Sequence, residues 1–174
     1  IIYVFKANYK EDLKGLNLCD VLFFCHDNNR PLSLNGKAFS PLVDSVRKDF
    51  ESRGLTCLSI AHPWSSLTGE LAHGEPIGMN KIYLLYLIKR TSLRLLGLTR
   101  KKVNSPYSKI FEKTKAKLIL TIGSPIELAR VARELKIFHV ELLHGIGYSF
   151  LPWGWDQLPP SCLPQGILSL DRVS

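Results

Sequence analysis

An open α/β fold built on a parallel sheet is predicted by three observations. Apolar runs of strand length recur along the chain, segments of helical period separate them, and the runs break off in a common way. Three end at a histidine: Val21-Leu22-Phe23-Phe24-Cys25-His26, Leu58-Ser59-Ile60-Ala61-His62 and Val140-Glu141-Leu142-Leu143-His144-Gly145. The fourth, from Leu118 to Ile122, ends at Gly123-Ser124-Pro125. A parallel strand is covered on both faces, so it reads as a continuous apolar run. Parallel strands would bring all four breaks to one rim of the sheet, where open α/β folds hold their ligands.

Taken in order, residues 1–5 have the pattern of a short strand and 20–25 that of the first well-bounded one. Residues 26–39, rich in Asn, Pro and Gly, are expected to form a loop. Ser40-Pro41 supplies an N-cap and a first-turn proline, and Leu42, Val43, Val46 and Phe50 recur at helical spacing until Gly54. A strand over 55–61 then completes a βαβ unit, whose crossover is expected to be right-handed. Residues 62–79 form an irregular excursion, and Asn80 caps a helix over 81–96. A short helix over 106–114 leads to a strand over 117–122. Gly123-Ser124-Pro125 opens the next helix, in which Ile126, Ala129, Val131 and Leu135 alternate with charged residues, and 138–143 is the following strand. Residues 145–164 carry Tyr148, Phe150, Trp153 and Trp155 in a Pro/Gly background, the pattern of a binding loop, and 167–171 reads as a last strand. The βα alternation indicates one Rossmann-like domain over residues 1–174. Its first residue, Ile1, and the strand pattern close to its last lead us to expect a fragment of a longer chain.

With 174 residues, 45% of them hydrophobic and 22% charged, the chain has the composition of a globular domain and neither of a disordered nor of a low-complexity one. The formal charge of +8 favours anionic partners. Cys19, Cys25, Cys57 and Cys162 form no CxxC pair and no zinc-type spacing, which fits a reduced, cytoplasmic setting. The apolar stretch 82–98 is broken by Lys89, Arg90 and Arg94, so it is too interrupted to span a bilayer but suited to lie on one. Arg100, Lys101 and Lys102 extend its charge.

Candidate chemistry gathers at the strand ends. His26-Asp27-Asn28-Asn29-Arg30 sets an imidazole, a carboxylate, two amides and a guanidinium directly beyond a buried strand, a set suited to a polyhydroxylated, acidic ligand. A turn stabilised by its own Asx side chains is the alternative. Lys37 and Ser40 precede a helix N-terminus that could receive an anion, although Ser40 as a plain cap explains the same residues. The segment lacks both the Walker A and the GxGxxG spacing. His62 and Trp64 offer a sugar-stacking edge or a buried core pair. Ser124 stands in a turn whose N–H groups suit a phosphate or carboxylate, or merely connect strand to helix. Glu141 interrupts an apolar strand and therefore needs a partner, because an unpaired buried carboxylate is costly. His144 stands at that strand's end, able to meet His26 and Asp27.

These motifs, with Gly36-Lys37-Ala38-Phe39-Ser40-Pro41-Leu42-Val43-Asp44-Ser45 and Ala61-His62-Pro63-Trp64, make the chain resemble the amino-terminal half of bacterial surface-polysaccharide glycosyltransferases of GT-B type, among them the retaining Kdo transferases of capsule and O-antigen assembly. The likeness extends over most of residues 20–172; where related proteins carry a Gln before the His-Gly pair, this chain has Leu143. It implies an acceptor-side domain, with a nucleotide-sugar donor, CMP-linked for a Kdo transferase, held by a second domain and no cofactor in this one. By the same resemblance Asp27 is the reacting carboxylate, His26 or His144 assists proton transfer, and Asn28, Asn29, Arg30, Lys37, Ser40, His62, Trp64, Ser124, Glu141 and Tyr148 contact a glycan or lipid-linked saccharide acceptor. Lys89, Arg90, Arg94, Arg100, Lys101 and Lys102 would hold the domain on the inner face of the cytoplasmic membrane, unless they form an ordinary solvated helix face.

Two other classes compete. His26, Asp27, His62 and His144 could converge on a metal in a hydrolase, although no HxH or HExxH spacing is present. A non-catalytic module would use the basic helix and the aromatic loop to bind a glycan or polyanion. Nucleic acid is not expected, because no reader motif accompanies the charge.

Overall fold

The computed structural model describes residues 6–9, 13, 15–98, 104–143 and 157–169. The strand expected over 1–5, together with His144, Tyr148, Phe150, Trp153, Trp155 and Arg100 to Lys102, lies outside the described residues. In chain order the strands are β1 (Val21–Cys25), β2 (Leu32–Leu34), β3 (Lys37–Phe39), β4 (Cys57–Ala61), β5 (Leu118–Thr121), β6 (Phe138–Leu142) and β7 (Gly166–Leu168). The helices are α1 (Val43–Ser52), α2 (Asn80–Leu95), α3 (Pro106–Thr114) and α4 (Ile126–Glu134). Among the described residues five strands form one parallel sheet in the order β4-β1-β5-β6-β7, flanked by helices α1 to α4, which is the Rossmann-like α/β arrangement expected.

Strand alternation divides the core in two. Leu22, Phe24, Ile60 and Ile119 point to one face, where Ile110 and Phe111 of α3 and Leu128 and Val131 of α4 cover them. Val21, Phe23, Cys25 and Leu120 point to the other, against Val43, Val46 and Phe50 of α1. The chain runs outward from β1 to β4 and then returns across β1 to begin β5. Strand order therefore reverses between β1 and β5, and the crevice beyond their carboxyl ends is the topological switch point of the sheet.

Residues 26–39 are more ordered than a loop. Asp27–Asn29 form a 3-10 turn, and β2 and β3 pair as an antiparallel hairpin. Asn35 and Gly36, with φ of 52° and 77°, make its two-residue turn, the left-handed pair that matches hairpin twist. Before α1, Ser40 Oγ accepts the Val43 N–H at 3.2 Å while Asp44 Oδ2 accepts the Ser40 N–H at 2.7 Å, a reciprocal cap. The excursion after β4 returns along that strand's outer edge: Ile77 N–H donates to the Ser59 carbonyl at 2.8 Å, and Ile77 O accepts the Ala61 N–H at 3.0 Å. An otherwise open sheet edge is thus covered. Among the described residues no helix is long and apolar enough to cross a membrane.

Candidate functional site

Register sets the site. Cys25 pairs with Ala61, Phe24 with Thr121 and Thr121 with Glu141, so His62, His26 and Gly123 leave adjacent strands at one level. The loops around His26, His62 and Ser124 share a single rim at the switch point.

His26 is exposed, and its ring lies on that of His62, centroids 3.9 Å apart and planes 17° from parallel. The ring edge rests against Gly123: a Cβ built there would stand 3.3 Å from His26 Cδ2. With φ of +75°, Gly123 is also where a side chain would strain the backbone. Burial against these neighbours lowers the His26 pKa, while the Gly123 backbone and Asp27 pull it the other way. His62 below is 1% exposed, and among the described residues neither of its ring nitrogens has a hydrogen-bond partner. Burial, reinforced by His26, holds its pKa well below the ordinary histidine value, against a weaker opposing effect of the Ile122 backbone. The pair thus presents one accessible imidazole on a buried one, both with the pKa lowered, which favours their neutral forms.

Two clamps fix the loop that follows His62. Asp27 accepts bonds from Ser65 Oγ, from the Ser66 N–H at 2.8 Å and from Ser66 Oγ at 2.9 Å. Asn80, fully buried in the first turn of α2, accepts the Trp64 N–H at 2.5 Å and donates to the carbonyls of Asn8 and Ser65, both at 2.7 Å. Between them Trp64 is held at φ 71°, a conformation that bulky residues adopt only under constraint, with its ring edge-on to Tyr83. Asp27, expected as the reacting carboxylate, therefore spends both oxygens on the loop of the neighbouring strand. Asn80, expected as the cap of α2, is instead that helix's first residue, with Met79 at the cap position, and its side chain is a second fastener of that loop.

Glu141, 1% exposed, finds its partner inside the protein. Its carboxylate accepts from Thr121 Oγ1, from the Gly123 N–H at 2.5 Å and from the Ser124 N–H at 3.2 Å. The turn amides expected to receive a ligand's phosphate or carboxylate thus receive the side chain of the next strand. Burial raises the Glu141 pKa to about 7, against the lowering effect of its three donors. Thr121 Oγ1 also lies 2.8 Å from His139 Nε2, so imidazole, hydroxyl, carboxylate and turn form one buried chain. Burial, with Arg133 nearby, brings His139 down to about 4. His139 was missed in the sequence, although two residues from Glu141 along a strand places both on one face.

Several residues expected to touch ligand are committed elsewhere. Arg30 is buried, with Nη1 bonded to both Asp44 oxygens at 3.1 and 2.8 Å and to the His73 carbonyl, so it ties β1's loop to α1 and to the excursion. Ser40, 1% exposed, is consumed by its cap. Lys37 pairs with Glu75 at 3.0 Å and lines a cleft of about 460 Å³ with Arg47 and Lys48, away from His26. Asn28 is exposed and Asn29 half-buried beside His26. Cys25 is buried, and burial pushes its thiol up to about 11. Among the described residues no group of three or more His, Cys, Asp and Glu is placed to hold a metal, Asp27 having turned to Ser65 and Ser66. Comparison with protein-family models, with curated proteins and with solved structures finds no match for the chain.

Proposed function

We propose that the chain is the acceptor-side domain of a two-domain, GT-B-type glycosyltransferase of bacterial surface-polysaccharide assembly, in which His26 takes the proton of the acceptor hydroxyl. The observation that carries the reading is an exposed imidazole at the switch point of a Rossmann-like sheet, stacked on a buried one and backed by a fixed loop on either side. The resemblance of residues 25–27, 61–64 and 141–145 to such enzymes supports the substrate class. In the proposed step the acceptor oxygen bonds to the anomeric carbon of the donor sugar, the bond to the nucleotide phosphate breaks, and the hydroxyl proton passes to a ring nitrogen of His26. Burial of His62 keeps the ring beneath uncharged, so the stack carries the single transferred proton on its outer member. Asp27 acts in this reading by fixing the Ser65–Ser66 backbone and not as the nucleophile.

Amide NMR spectra of the chain, titrated with lipopolysaccharide-core and capsular oligosaccharides, test the proposal. Shifts centred on His26, Gly123 and Ser124, and lost in His26→Ala, are expected. An unchanged spectrum with every oligosaccharide, or shifts confined to the opposite end of the sheet, would overturn it.

A further inference from the structure

A single carboxylate holds two consecutive peptide groups at the rim. Glu141 on β6 accepts the Gly123 N–H at 2.5 Å and the Ser124 N–H at 3.2 Å, both from the turn that follows β5. Successive N–H groups converge on one anion only where the backbone turns between them, and Gly123, with φ of 75°, makes that turn. Both peptides are trans, so the carbonyl end of each points away from Glu141. In the sheet β6 lies on one side of β5 and β1 on the other, so the far side of the turn is the side of His26.

Both stacked imidazoles respond to those carbonyls. The Gly123 backbone raises the pKa of His26 and the Ile122 backbone that of His62, each against the larger effect of burial. A carbonyl oxygen acts in that direction, whereas an N–H acts in the other. The edge of His26 that rests on Gly123 is Cδ2–Nε2: a Cβ built on the glycine would stand 3.3 Å from Cδ2 and 3.4 Å from Nε2. We infer that Glu141 is a positioning residue for His26: by holding the N–H ends of the two peptides it aims the Gly123 carbonyl at the Nε2 edge of the ring, keeps the proton on Nε2 and leaves the Nδ1 lone pair for the acceptor hydroxyl. The tautomer of a histidine is set by the partner of its other nitrogen. In the transfer step the acceptor proton then goes to Nδ1, and the imidazolium formed keeps its Nε2–H toward the Gly123 carbonyl. The groups that face Glu141 are Thr121 of β5 and, through it, His139, with Arg133 of α4 acting on His139; Asp27 and His62 face His26. The inference rests on the proposed function for what the base does, while the coupling of Glu141 to His26 exists without any saccharide.

An NMR titration of the purified chain, followed at the His26 ring and at the backbone of the turn, tests it without ligand. At the alkaline end His26 is expected to carry its proton on Nε2. As the pH falls, its ring resonances move in two steps. The first lies near pH 7, where Glu141 takes up its proton, and is shared with the Gly123 and Ser124 amides and the Ile122 and Gly123 carbonyl carbons. The second, below 6.5, is the titration of His26 itself. Glu141→Gln abolishes the first step and leaves the second. A proton on Nδ1, a His26 ring that shows its own step alone, or a first step that persists in Glu141→Gln would overturn the inference. So would a first step at His26 with both carbonyl carbons unmoved, since the charge would then act directly and not through the peptides. The parent titration decides the matter even where the variant does not fold. Coupling that persists in a chain blind to every oligosaccharide would support this inference while overturning the transfer reading.

Discussion

His26 and His62 stack face to face at the ends of neighbouring strands, with centroids 3.9 Å apart, and among the described residues the lower ring has no hydrogen-bond partner at either nitrogen. Burial of His62 disfavours its charged form and so favours the stack while the ring is neutral. The stack is therefore acid-sensitive, and it lies where the proposed chemistry needs an uncharged base.

Its sign is fixed by linkage. Both rings have folded-state pKa values below the ordinary 6.5, so the unfolded chain binds more protons as the pH drops. Their contribution to stability is complete above 6.5 and is lost as pH falls through the folded values. His139, at about 4, acts in the same direction. Urea unfolding is expected to show a lower midpoint at pH 5 than at pH 7. His62→Phe keeps a ring beneath His26 but removes its titration, so it should lose less stability over that interval. An equal loss in both proteins would mean that the stack does not carry the effect.

Glu141 works in the opposite sense. Its folded-state pKa is raised from 4.5 to about 7, so its contribution is complete below 4.5 and is lost as pH rises through about 7. Glu141→Gln cannot ionise and keeps one oxygen, for the Gly123 or the Ser124 N–H but not for both. Its stability relative to the parent should rise between pH 5 and pH 8, by up to about 3 kcal/mol. Glu141→Leu leaves those amides unpartnered and should be destabilised at either pH, by about 1–3 kcal/mol for each group stranded. Chemical denaturation at the two pH values separates the cases.

The Arg30–Asp44 pair, with both side chains 2% exposed, is a test of structural against ligand-binding use. Removing one partner strands a buried charge, so Arg30→Met should cost about 3–5 kcal/mol. Adding Asp44→Leu should recover part of that loss, less the Ser40 cap that Asp44 also makes. Oligosaccharide shifts at His26 should survive in the double variant. Their loss in a folded double variant would return Arg30 to the binding site.

The runs of the sheet strands β1, β4, β5 and β6 and their order along the chain were legible because a doubly covered strand is mostly apolar, even with Ser59, Thr121, His139 and Glu141 inside them. The excursion over 62–79 was also legible, from its glycines and prolines. The hairpin of β2 and β3 carried its own signal, Asn35-Gly36, but strands of three residues are too short for alternation to speak against a loop. The partners of Arg30, Asp27 and Asn80 lie 14, 38 and 16 residues away, and only the packed sheet brings them together. For that reason composition at a strand end located the rim correctly, while saying little about which polar groups were free there and which were already consumed. Glu141 is the intermediate case: its need for a partner was plain from the sequence, and the partner was the turn one strand away.

Asp27 separates most sharply the reading from resemblance and the reading from geometry. If its carboxylate holds the Ser65–Ser66 loop, Asp27→Ala should destabilise the domain by about 1–3 kcal/mol, because the Ser66 N–H and two hydroxyls lose their acceptor. Asp27→Asn retains one oxygen for the Ser66 N–H and should cost less. A double-mutant cycle with Ser66→Ala should show a coupling of about 0.5–3 kcal/mol, as expected for groups in one network. Because the loop lies beside His26 without carrying the proton, Asp27→Asn should also leave the oligosaccharide shifts at His26 and Gly123 in place. Absence of coupling in the cycle, with saccharide shifts abolished by Asp27→Asn in a fully folded domain, would instead make Asp27 a group that meets the substrate.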